Sequence, residues 1–343
     1  MTRKDLRTDD NKRLTVAEID KRLKSFLGKR YLPKDCLTFS YKRLGSGHYG
    51  AVYEGHLRHP EKCFQNTNGS LVPTTPVAVK LIKTDSVCQL NRKMVYQEIK
   101  VACELDHPNV VKLLYLTDGA YLKGYDQLMM VMEYMNKGSL SEYAKKYGEL
   151  SNPEKVCHML KIMLDVAEGM VYLSGKDIIH RDLAARNVLL TKVEGGGVRA
   201  KVSDFGLARI LEGNYKLYRV NKDELPFPWM PPECLVLDPS DPENIFSSKG
   251  DVWSFGILMW ESFSEGTLPK KVLKPLGITD GEKLLAAYKS NWRLPGDIIR
   301  CKEAYNLMTK CWQMEPNRRP AFVELVQELK HLISKLEVTK GGK

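Results

Sequence analysis

Hydrophobic and polar positions change rhythm along this 343-residue chain. From Leu37 the runs LTFSYKRLG, GAVYEGHL and PVAVKLIK are short, rich in β-branched and aromatic residues, and bounded by turn residues, so each predicts a strand. The Pro-, Asn-, Thr- and Gly-rich stretch 59–75 predicts a long hairpin loop. Helical spacing returns over 92–105, with Val95, Ile99, Ala102 and Leu105 on one face, before two further strand-like runs, VVKLLYL and LMMVMEYM. After Gly138 helices dominate, at about 139–147, 153–174 and 248–264, with more towards the C-terminus. Gly195-Gly-Gly197, between two strand-like runs, predicts a turn. A β-rich front with one helix, followed by a helical back, predicts an α+β protein with two unequal lobes.

Ahead of the first strand, Thr15-Val-Ala-Glu18 reads as a capping box and Gly28 as a stop. The stripe Ile19, Leu23, Phe26, Leu27 between them predicts a short amphipathic helix that packs on its own domain. No stretch approaches 18 uninterrupted apolar residues, and the start TRKDLRTDDNKRL has no apolar signal-peptide core. The expectation is a soluble chain, cytoplasmic or the cytoplasmic part of a larger protein. Eight cysteines are scattered without a C-x-x-C pair, which predicts free thiols in a reducing compartment.

The net charge of +11 raises nucleic acid or an anionic membrane as partners. Its placement changes that picture. Residues 1–31 carry +5 and residues 266–343 carry +7, while 32–265 carries −1. The excess sits on the flanks and suits docking to acidic or membrane surfaces, and without a recognition motif no nucleic acid is expected.

The balanced middle holds the candidate chemistry. Gly45-Ser-Gly47-His-Tyr-Gly50 lies between two strand-like runs, where glycines let backbone N–H groups approach phosphates. Alone, the spacing fits a plain glycine-rich turn equally well, although dinucleotide folds run from strand to helix rather than strand to strand. Lys80 ends the apolar strand Val77-Ala-Val-Lys80, and Glu98 on the next helix can pair with it. Taken singly they read as an edge lysine and a solvated glutamate. The decisive stretch is Ile179-His-Arg-Asp-Leu-Ala-Ala-Arg-Asn187, which puts a carboxylate able to take a hydroxyl proton and a carboxamide able to bind a hard cation on one loop. Val202-Ser-Asp204-Phe-Gly206 adds a second carboxylate just past a strand.

Together these residues resemble the protein kinase family, over about 37–335. The resemblance implies a bilobal fold, with a small β-rich lobe at about 37–134, a mainly helical lobe at about 139–335, an N-terminal extension 1–36 and a tail 336–343. It makes Asp182 the catalytic base and Asn187 and Asp204 the Mg²⁺ ligands. Lys80, paired with Glu98, would contact ATP phosphates under a loop of Gly45, Gly47 and Gly50. Val52, Ala78 and Leu189 would sandwich adenine, the Glu133 carbonyl and Met135 amide would bond it, and Met132 would be gatekeeper. Glu233, in Trp229-Met-Pro-Pro-Glu233, would pair with Arg319, and Asp251 would brace the Asp182 loop.

Asp182-Leu-Ala-Ala-Arg186-Asn187 has the tyrosine-kinase form, with Ala184 where serine/threonine kinases carry Lys and with Arg186 near the transferring phosphate. Cys311-Trp312 and Arg319-Pro-Ala-Phe322 match the tyrosine-kinase ending. The implied activity is phosphoryl transfer from ATP–Mg²⁺ to tyrosines of protein substrates, the alternatives being a pseudokinase scaffold or a dual-specificity kinase. Tyr215 and Tyr218 would be regulatory phosphorylation sites, with Arg181 or Arg209 receiving the phosphate. Pro228 and Pro231 depart from the family pattern where a substrate peptide should dock.

Overall fold

The computed structural model describes residues 31–33, 36–47, 50–58, 74–81, 99–119, 127–148, 150, 152–205, 208–210, 226–235 and 246–341. The helix expected within 15–28, Glu98, Tyr215, Tyr218 and most of the expected loop at 59–75 lie outside these residues. By packing, the chain divides into two compact units, Met1–Thr84 with Leu114–Met132, and Asp85–Leu113 with Glu133–Lys343.

The first unit is a five-stranded sheet in the order β1-β2-β3-β5-β4. Its strands are β1 Leu37–Gly47, β2 Gly50–Arg58, β3 Thr74–Leu81, β4 Leu113–Gly119 and β5 Gln127–Glu133. β1 and β2 pair antiparallel down to Gly47 opposite Gly50, and β2 pairs antiparallel with β3, Val52 opposite Lys80. The two-residue period of β3 sends Val77, Val79 and Leu81 into a core with Leu57, Met129 and Val131, and puts Ala78 and Lys80 on the other face. Leu32 and Cys36 are fully buried in that core, and the Leu32 N–H donates to Leu116 O at 2.8 Å. The packed unit therefore begins ahead of residue 37.

Two expected boundaries shift for packing reasons. Residues 99–104 are helical, but Val101 and Leu105 enter the larger core of the second unit, so the stretch 85–113 interrupts the lobe expected at 37–134. β4 begins at Leu113 rather than Val110 because Val110 pairs instead with Val202 in a separate bridge, the Val111 N–H donating to Val202 O at 2.9 Å and the Val202 N–H to Asn109 O at 2.8 Å.

In the second unit come α1 Leu140–Tyr147, α2 Pro153–Ser174, β6 Ile178–Ile179, β7 Val188–Lys192, β8 Val198–Val202 and β9 Arg209–Ile210. They are followed by α3 Pro232–Leu235, α4 Ser248–Phe263, α5 Pro269–Leu273, α6 Gly281–Lys289, α7 Lys302–Cys311 and α8 Phe322–Gly341. Asn152 caps α2 by accepting the Lys155 N–H at 2.9 Å, with proline in the first turn. Gly195, Gly196 and Gly197 carry β7 into β8 with φ of +82°, +100° and +85°, a turn only glycine adopts cheaply. α8 lies along α2 and runs to Gly341, past the tail boundary expected at 335.

Helix α4 organises this unit. Every residue from Gly250 to Phe263 is buried, with the polar Asp251, Ser254 and Glu261 hydrogen-bonded, and the helix packs on α7, α1 and α2. Among the described residues no helix is long and apolar enough to cross a membrane.

Candidate active site

The Asp182 loop joins β6 to β7. Asn187 donates from Nδ2 to both Asp182 O and Asp182 Oδ2, each at 2.7 Å, while Arg186 Nη2 bonds the other oxygen, Oδ1. Both oxygens of the carboxylate are thereby aimed by residues four and five positions on. Burial, the larger effect, pushes the Asp182 carboxyl above the ordinary carboxylate range, and the nearby Asp204 charge adds to it. Arg186, His180 and Asn187 pull the other way.

His180 and Ser203 tie this loop to the Asp204 segment. The His180 ring is fully buried, and its Nδ1 accepts the Asp182 N–H at 3.3 Å. Nε2 therefore carries the proton and donates to Ser203 O at 3.0 Å. Ser203 in turn donates from both its N–H and its Oγ to Asn187 O, each at 2.8 Å. Arg181 and Asp204, flanking these bonds, hold positive φ values of 67° and 62°, a conformation non-glycine residues keep where surrounding bonds enforce it.

From below, α4 supplies two carboxylates. Asp251, buried in its first turn, accepts the His180 N–H at 2.8 Å and the Arg181 N–H at 2.9 Å. Glu261, near its end and 1% exposed, accepts the Ala185 N–H at 3.0 Å on Oε2. The same oxygen accepts the Trp229 indole N–H at 2.9 Å. Burial raises both carboxyls, Glu261 to about 7.

Around Trp229 the two departing prolines have structural work. Pro228 lies in the 3₁₀ turn Phe227–Trp229, and Pro231 O accepts the Cys234 N–H at 3.0 Å as α3 begins with Pro232. Glu233 forms two 2.7 Å bonds with Arg319, whose guanidinium is buried under Trp253. The Arg186 guanidinium stacks 4.4 Å above the Trp229 ring.

The remaining predicted residues fall into the two units separately. In the first, Gly45 pairs with Val52 and Gly47 with Gly50, so the glycine-rich segment forms the end of the β1–β2 hairpin. Lys80 is buried on β3, next to Ala78 two positions along the same face. In the second, Leu189 lies on β7, Met135 is buried, and the Glu133 carboxylate is clamped by Lys201 Nζ at 2.7 and 2.8 Å and by the Lys112 N–H at 2.8 Å. Glu261 and Lys201 are contributions the motifs did not reveal. The signal for Glu261 was an acid inside the apolar run Ile257-Leu-Met-Trp-Glu-Ser-Phe263.

A β-sheet unit carrying a glycine hairpin and a buried strand lysine, with a helical unit carrying an anchored Asp–Arg–Asn loop, defines the catalytic domain of a protein kinase. The protein tyrosine and serine/threonine kinase family matches residues 38–329, and the chain belongs to that family. It is 36% identical to the tyrosine kinase receptor Cad96Ca of Drosophila melanogaster, over 88% of this chain and 36% of that protein. It is 35% identical to the tyrosine-protein kinase hopscotch of the same organism, over 82% and 21%. With the human ephrin type-A receptor 5 it shares 33% identity over 87% and 25%. The chain thus spans about a third or less of the length of these relatives.

Proposed function

We propose that the chain is a protein tyrosine kinase that transfers the γ-phosphoryl group of ATP to tyrosine hydroxyls of protein substrates. The observation that carries this reading is the Asp182 carboxylate, fixed between Arg186 and Asn187 in a loop of D-L-A-A-R-N sequence. Asp182 accepts the hydroxyl proton, and its raised affinity for protons favours that role. Arg186, stacked on Trp229, would act near the transferring phosphate. Asn187 engages Asp182 through its amide nitrogen, leaving its oxygen, with Asp204, to hold Mg²⁺. Two protein oxygens suit an ion that takes its other ligands from phosphate and water, and among the described residues no cluster of three or more His, Cys, Asp or Glu side chains competes for it. Bound Mg²⁺ supplies charge neutralisation on the phosphate oxygens.

Lys80, with Glu98, and Gly45, Gly47 and Gly50 would bind ATP phosphates; Val52, Ala78, Leu189, Glu133 and Met135 would hold adenine. Autophosphorylation at Tyr215 and Tyr218, read by Arg181 or Arg209, would regulate turnover. The basic flanks would engage acidic or membrane surfaces on the cytoplasmic side. The test is incubation with ATP–Mg²⁺ and a tyrosine-containing random polymer, followed by phosphoamino-acid analysis. Phosphotyrosine is the expected product. Asp182→Asn should lower turnover by about a thousandfold with ATP affinity retained. Phosphoserine as the main product, or an Asp182→Asn variant as active as the parent, overturns the reading.

A further inference from the structure

We propose that α5 and the turn after it form a docking surface for an anionic lipid bilayer: Lys270, Lys271 and Lys274 meet the negative headgroups, and Leu276 enters the apolar boundary beneath them. This deepens the reading of the basic flanks as engaging acidic or membrane surfaces, by assigning the residues and choosing the bilayer. It rests on that part of the proposed function and not on the phosphoryl-transfer step.

The sequence places the charge and packing turns it outward. Residues 267–279, TLPKKVLKPLGIT, hold three lysines and no acid. Pro269 and Leu273 are buried one turn apart, so α5 is held down on that side and Lys270, Lys271 and Lys274 are left exposed. None of these three forms a side-chain ion pair among the described residues, whereas Lys283, Lys310 and Lys330 of the same unit each meet a carboxylate. Their charge is therefore directed to an external anion. Lys145, exposed at the end of α1, adds to it: a Cβ on Gly266 would lie 2.6 Å from Lys145 Cγ, so its stem lies against the turn leading into α5.

Leu276 ends the 3₁₀ turn Lys274–Leu276 and is 56% exposed. The turn is pinned. The Gly277 N–H donates to Lys274 O and the Ile278 N–H to Leu273 O, each at 3.1 Å, and Gly277 takes a φ of +71° that lets the chain fold back at once. Leu273 and Ile278 pack into the core on either side, so Leu276 is held out between them. One exposed leucine carries no meaning by itself, but a leucine held rigidly among these lysines has the composition of an interfacial membrane contact. An acidic polypeptide would account for the lysines and not for the leucine, which favours the bilayer. Because α5 also packs on the Phe227–Trp229 turn, docking would bring the segment where a substrate peptide should dock beside the membrane.

The test is sedimentation of the full chain with vesicles of phosphatidylcholine alone, or with about a quarter of it replaced by phosphatidylserine. The parent should pellet only with the serine-containing vesicles, and its affinity should fall as salt rises. A lysine near such a surface is worth about fivefold in affinity, so Lys270→Gln/Lys271→Gln/Lys274→Gln should weaken binding by at least about thirtyfold. Leu276→Ser should weaken it about tenfold with the charge unchanged. Lys176→Gln/Lys192→Gln/Lys302→Gln removes the same charge from exposed positions elsewhere and should stay within about threefold of the parent. Melting temperatures show that each variant folds. An inactive parent that binds the vesicles defeats the kinase reading alone, and an active parent that ignores them defeats this proposal. It is also overturned if the two triple variants weaken binding equally, if Leu276→Ser binds like the parent, or if soluble poly-glutamate binds through the lysines while the vesicles do not.

Discussion

The two ends of helix α4 do the same chemical job on the Asp182 loop from different positions. At the first turn Asp251 uses both carboxylate oxygens on consecutive amides, His180 and Arg181, just ahead of Asp182. At the last turn Glu261 uses one oxygen on Ala185, just behind it, and shares that oxygen with Trp229. The first end serves the loop alone, and the second couples the loop to a separate segment of chain. A helix rises about 1.5 Å per residue, so ten residues separate the anchors by about 15 Å along a rigid rod. The loop between them has little freedom left, which is how a short irregular segment keeps Asp182 oriented without regular secondary structure of its own.

Removing the first anchor should do the most damage. Asp251→Ala leaves two buried amides without acceptors, one of them on Arg181 with its positive φ, and should cost about 4 kcal/mol of stability. Turnover should fall by at least about a hundredfold in whatever fraction remains folded. Urea unfolding and a peptide assay read the two effects. A variant with parental stability would mean that the loop holds its shape by itself.

The middle of the helix comes next. A Cβ on Gly256 would lie 2.5 Å from Trp312 Nε1 and 2.9 Å from Cys311 Cβ, where α4 backs onto α7. Gly256→Ala must push the helices apart or bend α4, and should cost about 3 kcal/mol. If the rod is what links the anchors, kcat should fall with stability even though no site residue is touched. Unchanged kcat at a lowered melting temperature would show the anchors to be independent.

The two anchors also differ in how legible they were. Asp251 sits in Gly250-Asp-Val-Trp-Ser-Phe-Gly256, a pattern that resembles known kinases, and its brace was expected. Glu261 is not legible in the same way, because helical periodicity places it in a buried stripe without saying which N–H groups, 76 and 32 residues distant in sequence, will meet it there. Local readings fared similarly elsewhere. The spacing of Asp182 and Asn187 was enough to place both on one loop, and 153–174 was enough to bound α2. The start of β4 differs from the sequence pattern because Val110 has the character of a strand residue but pairs with Val202 rather than with the five-stranded sheet. Pairing partners distant in sequence set what pattern alone leaves open.

The smallest effect separates the anchors by pH. Burial raises the Glu261 carboxyl from an ordinary value of 4.5 to about 7, against the pull of Ala185, Trp229 and Arg186, with Asp182 adding to the rise. Between those values the folded protein holds a proton that the unfolded chain releases. The stability that this group contributes is therefore fullest at low pH and is lost as pH rises from about 5 through about 7. Glutamine resembles the protonated acid and has no charge to bury, so Glu261→Gln should gain on the parent by about 2 kcal/mol between pH 5 and pH 8. Melting temperatures of the two proteins across that range measure the gain directly. Differences that stay constant with pH would mean the glutamate is already ionised at pH 5, with Arg186 outweighing burial, and the two ends of α4 would then differ only in reach.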